Sequence, residues 1–196
     1  AMRSQPISDY YHESTDIAEI HSMSMEQFAY PYAEWFFGDQ ADKFRFAHLQ
    51  EALTFVPFGV AVDEFQHIMY QNPDLTPDQR NQTWLELEHK YRPWIDFDNL
   101  PFYGRGAGWQ RQLHIYECPF YYIDYCLSTM AALQFFLLSL TDHKDAWARY
   151  LRLVRRAGTA SYTELLQTAG LKVPFAEGSV KGIAQQMTHW LEEHQV

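Results

Sequence analysis

Two acidic residues, Glu19 and Glu26, stand on the first apolar stretch of the chain, which the sequence pattern predicts to be helical. Their spacing places both carboxylates on nearly the same helix face, about two turns apart, together with Ser22 and Met23. Burying two carboxylates is costly unless a metal ion or a proton compensates them, whereas acidic side chains usually face water. Both interpretations stay open here. The opposite, mostly apolar face holds Ile17, Ile20, Ser24 and Phe28.

A histidine and two tyrosines form a second candidate set. Tyr122 and Tyr125 are three residues apart and therefore share a helix face, and His114 precedes them by a short connection. An imidazole and phenol hydroxyls that converge beside a cleft can donate hydrogen bonds to a carbonyl oxygen that becomes an oxyanion. The alternative is that aromatic residues at this spacing fill the core.

A third candidate set consists of Asp63, Glu64 and His67. The i, i+3 spacing of Glu64 and His67 is typical of di-iron carboxylate bundles, which need a second Glu-x-x-His and two further carboxylates. Glu86 and His89 show the same spacing, but no pattern in the sequence supplies the two further carboxylates. A surface or hydrogen-bonding role is therefore the preferred interpretation.

Helical periodicity dominates the chain and no strand pattern is found, so the sequence predicts an all-α multi-helix bundle. We expect a bend at Pro31 and a break between two helices at Pro57 and Gly59. Thr76 and Gln79 form a predicted capping box. The predicted helices have approximate bounds 15–37, 41–55, 60–70, 77–91, 109–115, 119–140, 142–158, 161–170 and 179–193.

The second half of the chain carries clear boundary signals. Asp142 is expected to cap a helix, Ser161 and Glu164 form another capping box, and Gly170 ends that helix. The glycine-bearing loop at 93–108 is long enough to suggest a role in shaping a cleft. We expect residues 1–196 to form one helical domain, with residues 1–14 as a loop.

Composition limits the partners. The formal net charge of −10 argues against nucleic acid and anionic membranes. The most apolar run, Met130 to Leu140, is too short to span a membrane, and the N-terminus has no apolar centre typical of a secretory signal. Cys118 and Cys126 match no metal motif, so reduced thiols and a cytoplasmic location are expected.

Residues 16–26, with the sequence Asp-Ile-Ala-Glu-Ile-His-Ser-Met-Ser-Met-Glu, resemble a segment of the oligoendopeptidase F and thimet oligopeptidase family of zinc metallopeptidases. The similarity runs from about Tyr11 to the C-terminus. It implies that Glu19 is the third zinc ligand and that Glu26 orients a ligand. It also implies that His114 and Tyr125, with Tyr122 as the other phenol, bind substrate and stabilise the tetrahedral intermediate; the choice among Tyr121, Tyr122 and Tyr125 stays open.

The chain departs from the family at one point, because no H-E-x-x-H occurs in it. Residues 12–16 and 63–67 approach that motif, but each has an aspartate in place of one histidine. The chain therefore resembles the C-terminal part of such a peptidase without its zinc helix. We expect it to contribute to hydrolysis of short peptides, and to hold no zinc and cleave no peptide alone. The alternative is a helical association module that pairs with the missing part or with itself as a homodimer.

Overall fold

A computed structural model describes residues 13–97 and 99–196, and in these residues every regular element is helical. The all-α prediction is confirmed. Most of the predicted loop at 1–14 lies outside the described residues, although Glu13 and Ser14 do precede the first helix without helical structure. The helices are α1 (Thr15–Phe28), α2 (Glu34–Phe37), α3 (Ala41–Gln71), α4 (Pro77–Tyr91), α5 (Leu113–Glu117), α6 (Tyr122–Arg156), α7 (Tyr162–Ala169) and α8 (Ser179–Glu193). Short 3₁₀ turns occupy Tyr30–Tyr32, Gly38–Gln40 and Gly108–Arg111.

The two predicted capping boxes are present, whereas the first helix begins after Ser14 and not after Thr15 or Asp16, the two caps that the sequence suggests. Thr76 accepts a hydrogen bond from the backbone N–H of Gln79, whose side chain accepts from the N–H of Thr76. Ser161 and Glu164 form the same reciprocal pair at the start of α7, which ends at Gly170 in the left-handed conformation. Each cap satisfies backbone donors that the first helical turn leaves without intrahelical partners.

Two predicted boundaries in the first half of the chain are wrong. Proline and glycine do not break α3, which runs through Pro57 and Gly59 as one helix. Proline removes only one backbone donor, and the packing of the flanking turns can outweigh that loss. Gly59 is instead required by close packing, since a Cβ there would lie 2.1 Å from Cys126 Sγ. The first helix ends at Phe28 rather than bending at Pro31, which lies in a 3₁₀ turn.

The long helix α6 contains the predicted cap at Asp142. This residue has non-helical backbone angles (φ −150°, ψ 96°), and its Oδ1 accepts hydrogen bonds from the N–H groups of Lys144 and Asp145. The helix begins at Tyr122, three residues after the predicted start at Pro119. The sequence therefore located the interruption correctly, because an aspartate side chain competes for the backbone N–H groups that follow it.

The prediction that no apolar segment is long enough to span a membrane needs a correction for α6. By length and composition α6 could cross a bilayer, since one 18-residue window has a mean hydropathy of 1.5. However, 56% of that window is buried inside the protein, as expected for the core helix of a globular fold.

The chain divides into two compact units, with boundaries inside α3 and α6. Of the described residues, the first unit comprises 13–53 and 127–196, and the second comprises those between 54 and 126. The prediction of one domain stays a prediction. The first unit is built on a buried cluster from α1, α6 and α7 that includes Ile20, Phe28, Phe135, Leu153 and Leu165. The second is built on Val62, Phe65, Trp84, Leu87 and Tyr122.

Leu153 and Leu140 allow a matched test of the first core, because both lie on α6 and only Leu153 is fully buried. We expect Leu153→Ala to lower the free energy of unfolding by about 2–5 kcal/mol through lost apolar burial and a residual cavity. Leu140→Ala, at a position 53% exposed, should change it by less than about 1 kcal/mol. Urea denaturation followed by circular dichroism measures both; equal losses would contradict this assignment of the core.

Candidate active site

Glu19 lies on α1 at the border between buried and exposed surface. Its Oε2 accepts a hydrogen bond of 2.8 Å from Ser22 Oγ, one turn later. Ile17, Ile20 and Phe28 on the opposite face are buried in the first unit. The predicted amphipathic orientation of the helix is therefore correct, and the carboxylate of Glu19 is half-buried rather than fully desolvated.

Glu26 is exposed and belongs to a chain of three polar groups. Its Oε2 lies 3.1 Å from His48 Nε2, and His48 Nδ1 lies 2.5 Å from the Tyr30 hydroxyl. Burial raises the pKa of Tyr30, so this phenol stays protonated, and its O–H can donate a hydrogen bond to His48 Nδ1. His48 Nε2–H then donates to Glu26. The carboxylate is thereby tied to α3, because His48 lies on that helix.

Sequence analysis did not identify His48 as part of this group. It is 22 residues from Glu26, and no periodic pattern connects positions on two different helices. Phe44, one turn before it, stacks on its ring, and Phe37 stacks on Phe44 with a centroid separation of 4.0 Å. A cavity of about 340 Å³ opens beside these rings. The only sequence signal was a histidine on a helix rich in aromatic residues.

In the second unit, the structure brings His114 together with the predicted tyrosines. The Tyr125 hydroxyl lies 3.5 Å from His114 Nε2, at the outer limit of a hydrogen bond. The ring centroid of His114 is 5.0 Å from that of Tyr122 and 5.7 Å from those of Tyr121 and Tyr125. The two helices α5 and α6, joined by a short turn, create this cluster.

The environments of the two predicted tyrosines differ. Tyr122 is only 8% exposed and packs edge-to-face on Phe58, and burial raises its pKa to about 12. Tyr125 is half-buried and its hydroxyl faces the imidazole of His114. Tyr125 is thus better placed to donate a hydrogen bond to a ligand, whereas Tyr122 belongs to the core of the second unit.

The glycine-bearing loop lines a cavity of about 290 Å³ in the second unit. Arg92 and the buried Glu88 form an ion pair of 2.5 Å in its wall, and Arg92 lies over the ring of Phe58. Gly106 has a φ of +76°, and a Cβ there would lie 1.9 Å from the carbonyl oxygen of Asn81. The loop therefore needs glycine at this position to pack closely on α4.

The acidic side chains Asp63 and Glu64 on α3 form contacts with neighbouring side chains and not with a shared ligand position. Both oxygens of Glu64 accept hydrogen bonds from Lys90, at 2.8 and 2.7 Å, and one also accepts from the Tyr91 hydroxyl. These contacts hold the pKa of Glu64 below its usual value, mainly through Lys90. His67 instead lies 3.4 Å from Asp63. This arrangement fits the hydrogen-bonding role expected from sequence.

A complete metal site is absent from the part of the chain that the structure describes, where no three His, Cys, Asp or Glu side chains converge. Glu19 offers a single carboxylate, and structural or catalytic zinc is held by three or four protein ligands. The described residues therefore do not fit a zinc ion on their own. The two cysteines are both free, with Cys118 exposed and Cys126 buried.

Comparison with known proteins identifies the relatives of this chain. The family model for peptidase family M3 matches residues 2–185. A solved structure assigned to oligoendopeptidase F is 46% identical over 97% of this chain, with a TM-score of 0.93. PZ peptidase A, solved with an inhibitor, is 45% identical over 97%, also with a TM-score of 0.93. A structure assigned to oligoendopeptidase F from Bacillus anthracis is 37% identical over the full chain, with a TM-score of 0.83.

No curated protein matches the chain. The chain spans about a third of the length of the three solved structures, since it covers 34%, 34% and 32% of them. Within that third the helical fold is the same, and the resemblance drawn from residues 16–26 is confirmed. The chain belongs to peptidase family M3.

Proposed function

We propose that this chain takes part in the zinc-dependent hydrolysis of short peptides, as the portion of an M3 peptidase that binds the peptide carbonyl and supplies one metal ligand. The observation that carries the proposal is the cluster of His114 with Tyr125, in a chain whose relatives are peptidases. Membership of a peptidase family supports peptides as the substrate class.

The chemistry proposed for the chain's own residues is stabilisation of negative charge. A peptide carbonyl oxygen gains charge as its carbon becomes tetrahedral, and preorganised donors lower the energy of that state. The Tyr125 hydroxyl and His114 Nε2 lie close enough to direct hydrogen bonds toward one oxygen atom. Tyr122 stays protonated because burial raises its pKa to about 12, and it packs against the imidazole ring.

Glu19 is proposed as one zinc ligand, and we propose that the remaining ligands come from the rest of an M3 peptidase. The sequence contains no H-E-x-x-H, and the described residues hold no complete metal site. The proposed role of Glu26 is to fix α1 against the first part of α3 through His48, and thereby to orient the carboxylate of Glu19 two turns earlier.

The first test of this proposal is the metal content of the chain alone. After purification and incubation with excess zinc followed by gel filtration, we expect well below one zinc per chain by atomic emission spectroscopy. We also expect no chelator-sensitive turnover of a quenched fluorescent peptide. The physical reason is that one carboxylate does not hold Zn²⁺ against water. Stoichiometric zinc with chelator-sensitive turnover would contradict the proposal.

The second test compares the two tyrosines in a chimera in which this chain replaces the matching third of PZ peptidase A. We expect Tyr125→Phe to lower kcat by about 10²–10³-fold, because a donor to the developing oxyanion is lost. Tyr122→Phe removes a hydroxyl from a core residue and should lower kcat by less than about 10-fold. Steady-state kinetics on the same peptide measures both variants; the reverse order would assign the donor role to Tyr122.

A second candidate function, association with another polypeptide, is favoured by one observation. The segment at residues 32–37 exposes four aromatic side chains, with Trp35 at 79% and Phe36 at 75% exposure. Contiguous exposed apolar surface of this kind is typical of protein interaction sites. Its partner would be either the rest of an M3 peptidase or a second copy of the chain.

Self-association can be tested with the double variant Trp35→Ser/Phe36→Ser. If the aromatic segment mediates a homodimer, light scattering should show a dimer for the wild-type chain and a monomer for this variant. Phe175→Ser is the matched control, because Phe175 is 69% exposed and lies elsewhere in the chain. A wild-type chain that stays monomeric at high concentration would exclude the homodimer and leave the rest of a peptidase as the partner.

A further inference from the structure

A buried amide in the second unit has an unusual partner. Gln66, in the last two turns of α3, is only 1% exposed. Its Nε2 donates to the carbonyl oxygen of Val62, four residues earlier, at 3.3 Å. Its Oε1 accepts the backbone N–H of Phe120 at 2.8 Å, across 54 residues of sequence. Because burying an unpaired amide is costly, this bond ties α3 to the turn at Phe120.

Phe120 is the only non-glycine residue with a positive φ among the described residues, at +65°. A bulky side chain in the left-handed region is unfavourable and persists only where the surrounding structure holds it there. Two contacts do so: the N–H bond to Gln66, and the ring, which lies about 5 Å from the rings of His67 and Tyr70. All of these partners are on α3.

The turn that contains Phe120 joins the two parts of the candidate active site. On one side, the N–H of Cys118 bonds to the carbonyl oxygen of His114 at 3.0 Å. On the other, the N–H of Tyr121 bonds to the carbonyl oxygen of Cys118 at 3.2 Å, immediately before α6 begins at Tyr122. The backbone direction at Phe120 therefore sets where the first turn of α6, with Tyr125, meets the imidazole.

We propose that Gln66 is a positioning residue: its buried amide holds Phe120 in the left-handed conformation and thereby sets the contact between the Tyr125 hydroxyl and His114. The relevance of Gln66 to catalysis rests on the proposed function, but its effect on the contact between Tyr125 and His114 can be measured in this chain without any activity. Gln66 does not touch the imidazole or the phenol, and it acts through the backbone of the turn.

A purely structural role for Gln66 would predict a different behaviour of variants. If the amide only stabilised the second unit, its loss would weaken the His114–Tyr125 contact by the same amount whatever residue stood at position 120. If it acts by holding Phe120 at positive φ, then glycine at 120, which adopts that conformation without a steric cost, makes Gln66 dispensable. The two roles are therefore separated by a double-mutant comparison.

The experiment uses the full chain with labelled histidine and tyrosine rings, and its readout is the nuclear Overhauser effect between His114 and Tyr125. We expect Gln66→Met to reduce this signal at least threefold, relative to the signal between His21 and Tyr150 in the first unit, whose ring centroids are 5.8 Å apart. Gln66→Glu keeps an acceptor at the same place and should therefore retain more of the His114–Tyr125 signal than Gln66→Met does. Gln82→Met, on the exposed side of α4, is the matched control and should leave it unchanged.

The decisive arm is the double variant Gln66→Met/Phe120→Gly. The proposal expects it to regain at least half of the wild-type signal, whereas Gln66→Met/Phe120→Ala should not, because alanine is still strained at positive φ. Thermal unfolding identifies any variant that fails to fold, and Gln66→Leu, with phenylalanine and with glycine at position 120, then provides the same comparison. The proposal would be overturned if Gln66→Met lowered the signal equally with phenylalanine and with glycine at position 120. It would also be overturned if the wild-type chain showed no His114–Tyr125 signal. None of these readouts depends on peptidase activity.

Discussion

A polar group that a helix carries into apolar surroundings is costly to leave unpaired, and the need for a partner determines the local geometry at several positions. Gln66 meets it with the backbone of a distant turn, and Glu88 meets it with Arg92. Tyr30 meets it through His48. The partners of Gln66 and Tyr30 lie on a different element, so these bonds fix the relative position of two segments as well as satisfying a donor or acceptor. Arg92 follows Glu88 by four residues at the end of the same helix.

The same principle explains why the candidate site can be built from ordinary helices. His114 is on a helix of five residues, which has little stability of its own. It is held because the following turn is anchored to α3 and because its ring packs among three tyrosines. A donor pair for an oxyanion must be placed before the charge develops, and rigid neighbours provide that placement. Within the first unit, the link from Glu26 to His48 plays a comparable part for α1.

Local rules of sequence predicted a large part of this structure. The caps at Thr76, Ser161 and Asp142 depend on residues within three positions of each other, and all three are found. The continuation of α3 through Pro57 could not be predicted, because it depends on packing that outweighs a lost hydrogen bond. The spacing of Tyr122 and Tyr125 gave a shared face, but not which of them is buried.

Contacts between distant segments were beyond the reach of sequence patterns. Nothing in the spacing connected Glu26 with His48 or Gln66 with Phe120, because these pairs form only when separate elements pack. The strained backbone at Phe120 is a further case, since a phenylalanine gives no signal of a left-handed conformation. His48 and Gln66, whose proposed roles depend on such contacts, are therefore residues that the sequence patterns did not indicate.

The central claim is that this chain supplies the donors that meet the reacting oxygen of a peptide. The most direct measurement is a crystal structure of the chimera with PZ peptidase A, with zinc and a phosphinic peptide whose tetrahedral phosphinate mimics the hydrated peptide bond. We expect a phosphinate oxygen within about 3.2 Å of the Tyr125 hydroxyl, and a Glu19 carboxylate oxygen about 2.0–2.2 Å from the zinc ion. A phosphinate bound with neither His114 nor Tyr125 in hydrogen-bond range would contradict it.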